Sequence, residues 1–192
     1  MHALPPAVTK NFLRPFNLLL SRIHRQSDDS DSLTGLASTA RLNSFLEEQF
    51  AFVRQGKSLS LIVLEIANLQ SVNTAHGPDA GDAAIQSVAI AVQGIARWQD
   101  LASCLRGGEM ALAMPDTPPQ IGQIFVSTMR RAVTGRTIQF GSIVIKPSII
   151  AGLAAAEPGG PIASPANLIE AAMRAAKTAA GNCVKVGANR AA

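Results

Sequence analysis

Residues Leu59-Ser60-Leu61-Ile62-Val63-Leu64-Glu65-Ile66 form a nearly continuous apolar run. A run of that kind suits a central strand, buried on both faces. Further along, Leu101 to Leu105 and Met110 to Met114 flank Arg106-Gly107-Gly108-Glu109, which predicts two strands joined by a glycine turn. The segments between carry helical spacing. Leu42 to Arg54 places Leu42, Leu46, Phe50 and Val53 on one side, and Asp79 to Trp98 reads as a long helix faced by Ala84, Ile85, Val88, Ala91, Val92 and Ile95. Ile121 to Val133 and Pro165 to Ala180 are two more predicted helices, Ile138 to Ala155 is strand-rich, and Cys183 to Val186 is a short closing strand. The order predicts an α+β sandwich: one mostly antiparallel sheet with helices on its faces.

With 47% apolar residues among 192, the chain can bury a sizeable core. It lacks the roughly 18 to 20 uninterrupted apolar residues of a membrane span, and Met1 to Val8 lacks the basic region of a secretory signal. Cys104 and Cys183 are too few for a disulfide framework and lack metal-ligand spacing, so both are expected as reduced thiols in a cytoplasmic protein. Lys10, Arg14, Arg22 and Arg25 account for the whole net charge of +4, because the remainder holds thirteen basic and thirteen acidic residues. A neutral domain is a poor nucleic-acid partner. Four parts are expected: a basic amphipathic helix over 1–26, with Phe12, Phe16, Leu19, Leu20 and Ile23 as its stripe; an acidic linker over 27–32; a domain over 33–187; and a tail over 188–192. The arm is a candidate for packing on its own domain, for forming a homodimer, or for weak membrane-surface contact.

Several motifs fall in a recognisable order between Asp31 and Val186. Asp31-Ser32-Leu33-Thr34-Gly35-Leu36 is a D-x-L-T-G-L turn, and Leu61 to Leu69 is a strand followed by a turn. Val72-Asn73, Gly77 and Gly81-Asp82 fit I-N-D-x-x-G-H-x-x-G-D with Pro78 at the histidine, while Ala176-Lys177 and Asn182 fit a terminal A-K-x-x-G-R-N. Together they resemble the GGDEF domain of diguanylate cyclases. The resemblance implies the nucleotidyl-cyclase-like (ferredoxin-like) version of the predicted sandwich.

An active member of that family condenses two GTP molecules across a dimer with divalent metal. Carboxylates hold the hard cations, and a glycine hairpin lets backbone amides approach phosphate. Here Glu65 stands at the first metal aspartate, one methylene longer. Gly108 stands at the second carboxylate, Arg106 at the first signature glycine, and Met110 at the phenylalanine. Ala67, Gln70, Thr74 and Gly181 are further departures from the pattern. Glu65 is therefore a vestigial metal position, and Asn73 and Asp82 (guanine) with Lys177 (phosphate) are vestigial nucleotide contacts. No cofactor is required on this reading, and magnesium is not expected.

The family's product-binding inhibitory site is an Arg-x-x-Asp five residues before the signature, and Arg97-Trp98-Gln99-Asp100 stands in that register. An arginine fork can donate to guanine O6 and N7, and a carboxylate can accept from N1–H and the N2 amino group. Both residues are expected at the end of the long helix, sharing a face. Arg130 and Arg131 are candidate second arginines, close to Thr128 at the family's secondary position. Trp98 is expected to be partly buried, the alternative being a stacking surface. The competing reading of Arg97 and Asp100 is an exposed salt bridge worth little to stability. The resulting expectation is a non-catalytic cyclic di-GMP receptor that signals to an unidentified protein partner. The alternatives are a nucleotide-independent scaffold, a GTP-binding regulator, and a weak cyclase using Glu65 and Glu109.

Overall fold

The computed structural model describes residues 29–178 and the backbone of 186–187. The expected arm over 1–26, Gly181, Asn182 and Cys183, and the tail over 188–192 lie outside the described residues. Helix α1 (Thr39–Val53) leads into strand β1 (Leu59–Ile66), followed by α2 (Leu69–His76) and α3 (Pro78–Ile95). The hairpin β2 (Leu101–Arg106) and β3 (Glu109–Pro115) comes next, then α4 (Pro119–Thr134). A small hairpin, β4 (Ile138–Phe140) and β5 (Ile143–Ile145), precedes β6 (Ile149–Ala156), α5 (Pro165–Thr178) and β7 (Val186–Gly187). No helix among the described residues is long and apolar enough to cross a membrane.

The main sheet has the order β2-β3-β1-β6-β7. Its pairings are antiparallel except for the parallel contact between β6 and β7. The apolar run is the middle strand: β1 pairs with β3 from Leu59↔Pro115 to Glu65↔Glu109, and with β6 from Leu59↔Ala156 to Ile66↔Ile149. Alternation then sends side chains to two cores. Ile62, Leu64 and Ile66 meet Ile85, Val88 and Val92 of α3 and Val126, Met129 and Val133 of α4. Leu59, Leu61 and Val63 meet Leu42, Leu46 and Phe50 of α1 and Leu168, Ala171 and Ala172 of α5. The continuous apolar run reflects burial on both sides.

The opening turn is locked locally. Asp31 Oδ1 accepts from the Thr34 backbone N–H (2.8 Å) and hydroxyl (2.6 Å), and Gly35 takes the positive φ of +70° that lets the chain double back. Ala37 then hydrogen-bonds both Ala102 and Cys104, stitching the turn to β2, and the Ser38 N–H donates to Asp29 O. Part of the segment expected as linker is thus fastened to the domain. Cys104 is free and buried; burial pushes its thiol up, and the nearby charge of Asp31 adds to the shift.

Two expectations change. Helix α2 was not foreseen, because only Val72 of its eight residues is buried. Helix α3 stops at Ile95 rather than Trp98: Ala96 is extended (φ −66°, ψ 134°) and the Asp100 N–H donates to Arg97 O (3.0 Å), closing a turn. Arg97 and Asp100 are therefore the two ends of a turn, not neighbours on a helix face.

Helix α5 lies on β6 at Gly152, where an added Cβ would run into the backbone of Ala172, Ala175 and Ala176. Backbone cannot move aside as a side-chain tip can. Gly152→Ala is expected to destabilise the domain by about 3 kcal/mol through overpacking, measured as a lowered urea midpoint.

Candidate functional site

Two groups of residues stand out, at opposite ends of β1. The first is built on the turn after α3. Asp100 Oδ2 accepts from the Arg97 backbone N–H (2.8 Å), a side-chain bond that competes with a further helical turn. The Arg97 guanidinium returns the contact: Nε lies 3.2 and 3.0 Å from Oδ1 and Oδ2, and Nη2 lies 2.8 Å from Oδ1. Nη2 also donates to Thr117 Oγ1 (2.6 Å) and approaches Pro115 O (3.3 Å). The guanidinium carbon sits 5.1 Å from the centre of the Phe125 ring, a cation–π contact. The Asp100 side chain has 0% exposure and that of Arg97 33%. The pair is thus not the exposed salt bridge of the competing reading.

Trp98 corrects another expectation. It is 94% exposed. The tryptophan is the second residue of the turn that the Asp100 N–H closes on Arg97 O. Ile121 and Ile124, on α4 one turn or less before Phe125, are exposed as well.

The second group lies where the β2–β3 turn meets the far end of β1. A cleft of about 390 Å³ is lined by Glu65, Ala67, Leu69, Gln70, Asn73, Arg106, Gly108 and Glu109, among others. The sheet register sets Arg106 opposite Glu109 and Glu109 opposite Glu65, so two carboxylates face each other beside one guanidinium. Gly107 takes φ +53° at the turn. Gly108 is buried, and a Cβ there would stand 2.7 Å from Leu69 Cδ2, so the tip of the leucine must turn aside for any side chain at 108. Among the described residues, no three His, Cys, Asp or Glu side chains gather as a metal site.

The family model "Diguanylate cyclase, GGDEF domain" matches residues 28–183. The chain belongs to the GGDEF-domain family. It is 29% identical over 134 residues to the diguanylate cyclase DgcP of Pseudomonas aeruginosa, covering 69% of this chain and 20% of that protein. It is 30% identical over 119 residues to the probable diguanylate cyclase DgcJ of Escherichia coli, covering 62% of this chain and 24% of that protein. The chain thus spans about a fifth to a quarter of those relatives. Among solved structures, it is similar to the GGDEF domain of DgcB from Caulobacter crescentus in complex with c-di-GMP, with a TM-score of 0.76, 24% identity and 83% and 93% of the two chains covered. It is also similar to the P. aeruginosa diguanylate cyclase SiaD in complex with its activator SiaC, with a TM-score of 0.75, 24% identity and 94% and 68% covered. The fold is the mixed α+β GGDEF fold, an antiparallel sheet flanked by helices.

Within this GGDEF domain, the turn brings Arg97 and Asp100 together and adds Thr117, Pro115 and Phe125, none of them foreseen. A serine or threonine just past a strand end carries no distinctive spacing, so the sequence offered no signal for Thr117. Arg130 and Arg131 are not brought to Arg97 by any hydrogen bond or ion pair. They follow Phe125 by five and six positions, about 140° and 240° around α4. Arg130 Nε and Nη2 are buried with no hydrogen-bond partner among the described residues, and nothing in the structure explains them. Of the nucleotide positions, Glu65 and Asn73 share the hairpin cleft. The Asn73 amide lies against Gly81, leaving no room for a Cβ there. Asp82 is exposed on α3 and Lys177 on the last turn of α5, outside that lining.

Burial makes the two halves of the clamp unequal. Without Arg97, a fully buried carboxylate keeps only a backbone donor; without Asp100, a partly exposed guanidinium can turn to water. Arg97→Ala is expected to cost about 3 kcal/mol and Asp100→Ala about 1.5, an order that urea denaturation of the two variants checks.

Proposed function

We propose that this GGDEF domain is a non-catalytic cyclic di-GMP receptor, with Arg97 as the anchor of its ligand site. The observation that carries the reading is an arginine held by Asp100, Thr117, Pro115 O and the Phe125 ring, with Nη1 making no hydrogen bond among the described residues, followed in the chain by a tryptophan left almost wholly in water. A clamped guanidinium offers a donor edge at little further loss of rotamer freedom. An exposed indole is a large, flat, amphipathic surface suited to stacking. The dinucleotide supplies phosphate and guanine acceptors for the first and flat bases for the second. The c-di-GMP complex of the similar DgcB domain is in keeping with this ligand. Occupancy would pass to an unidentified protein partner, or to a change in self-association, in the cytoplasm.

The hairpin cleft supports the absence of catalysis. Magnesium takes near-octahedral oxygen ligands, and this cleft offers Glu65 and Glu109 with a guanidinium in the same row. Leucine occupies the space beside Gly108 where the family has its second carboxylate. The donor set fits a hard dication poorly, and metal-dependent condensation of GTP loses its electrostatic support. A second reading, a nucleotide-independent protein-binding surface, is favoured only by the exposed Trp98, Ile121 and Ile124.

Calorimetric titration with cyclic di-GMP tests the proposal. The wild type is expected to bind, and Arg97→Ala to weaken binding by at least about tenfold, the worth of a good arginine–guanine contact. Trp98→Ala is the cleaner variant, because so exposed a side chain leaves stability within about 0.5 kcal/mol; its loss of affinity reports contact. No heat with the wild type sinks the receptor and leaves the protein-binding surface. Incubation with GTP and magnesium is expected to give no cyclic di-GMP by chromatography; steady turnover would sink the non-catalytic half.

A further inference from the structure

Helix α3 turns an uncharged face to solvent. From Ala83 to Ala96 the chain runs fourteen residues without a charged side chain. By contrast, α1 carries Arg41, Glu47 and Glu48, and α5 carries Glu170, Arg174 and Lys177. One side of α3 is buried in the core through Ala84, Ile85, Val88, Ala91 and Val92. The other side holds Ala83, Gln86, Ile90, Gln93 and Gly94, which recur at intervals of three and four or lie next to such a position, and so share a face. Ile90 stands 60% exposed in the middle of it. A single exposed isoleucine is ordinary; a helix without charge on any side is the pattern of one covered all round.

A groove runs beside that isoleucine. It has a volume of about 580 Å³ and lies between Ala89, Gln93 and Gly94 of α3 and the Thr34-Gly35-Leu36 turn. Gln86 Nε2 donates to Leu33 O (3.3 Å) and Leu36 is buried, so the turn is held against the helix. A Cβ at Gly35 or at Gly94 would meet nothing within 4 Å. Both glycines leave bare backbone on the walls, which lets another side chain come close.

We propose that this face binds the same face of a second copy of the chain, each Ile90 entering the groove of the other copy. A two-fold pairing brings one patch against itself, so it needs projection and recess on the same patch, and Ile90 lies beside the groove. Side chains near the axis face their own counterparts, where a charge would repel itself; between Ala83 and Ala96 there is none. An axis across the helix also sets the two copies of α3 antiparallel. Asp79 and Asp82, both exposed, then lie at opposite ends of the pair. With 18 residues, α3 is about 27 Å long. One helix face of that length with a turn beside it covers less than the roughly 800 Å² per partner of a standard interface. The expected dissociation constant is therefore weak, on the order of 100 μM. This surface shares no residue with the Arg97 clamp or the hairpin cleft, and it stands whether or not cyclic di-GMP binds.

Sedimentation equilibrium of the full chain over a concentration series tests the pairing. Ile90→Glu and Ile90→Lys are each expected to weaken self-association at least about tenfold, because like charges then face each other across the axis. An equimolar mixture of the two is expected to recover it. Wild-type urea midpoints check that both variants fold, as so exposed a position allows. If either fails to fold, Gly94→Arg, which projects a charge into the open groove, replaces it with the same expected loss. A wild type that stays monomeric at millimolar concentration overturns the proposal. So does association that the variants leave unchanged, which puts the contact elsewhere, for instance on residues 1–26. Loss in both variants without recovery on mixing means that the face meets something other than itself, and overturns the two-fold pairing.

Discussion

The two-sided pairing of β1 is the constraint on which the rest of this domain depends. Seven consecutive residues, Leu59 to Glu65, meet β3 on one side and β6 on the other, so their backbone groups find partners without water. Only a strand so placed can be buried on both faces, and each face then dictates its own pair of helices. The same strand also fixes both functional regions. At one end Glu65 enters the hairpin cleft; at the other, Ser58 and Ser60 hold Thr117, which holds Arg97. Strand β3 repeats the arrangement, with Glu109 in the cleft and Pro115 O in the clamp. At about 3.3 Å per residue the two regions are separated by roughly 20 Å, joined by two fully paired strands.

That separation bears on how one end can change without the other. Apart from Ile66 and Gly108, the cleft is lined by exposed or half-exposed residues, and its departures from the family pattern involve groups that carry little of the core. Arg106 and Ala67 point no apolar surface inward, and Gly108 is compensated by Leu69. The clamp differs in kind. Asp100, Thr117 and the backbone of Arg97 satisfy one another in a buried setting, where an unpaired partner is costly. Substitution in the cleft can alter chemistry at little expense in stability, whereas substitution in the clamp affects both.

The sequence was most legible where pattern and burial coincide. Leu59–Ile66 and the two hairpin strands were readable to within a residue or so, because an apolar run and a glycine turn are local statements of what the sheet needs. Helix α2 was missed because it buries little. The end of α3 was misplaced because Gly94, beside the last apolar position Ile95, lies within the helix and no glycine or proline follows to mark its end. What ends the helix is the Asp100 carboxylate capturing the Arg97 N–H, and that depends on Thr117 and Pro115 holding the guanidinium from across the sheet. Trp98 was expected partly buried for the same reason: once the helix ends early, the indole belongs to a turn. Arg130 and Arg131 follow Phe125 on α4 by five and six positions, and Phe125 is the residue of that helix that meets Arg97.

Burial also decides what kind of argument the Arg-x-x-Asp pair can support. Every polar group of the clamp serves the architecture. Asp100 ends a helix, Arg97 neutralises a buried carboxylate, and Thr117 ties both to β1. A chain could keep all three for the fold alone, so their presence does not by itself speak for a ligand. Trp98 is free of that ambiguity. Among the described residues it ends no helix and neutralises no charge, yet at 94% exposure it places a large apolar surface in water next in the chain to Arg97. On the proposed reading, a flat, anionic ligand is what its surface meets. On the proposed reading, the residue that separates function from fold is therefore the one between the two motif positions.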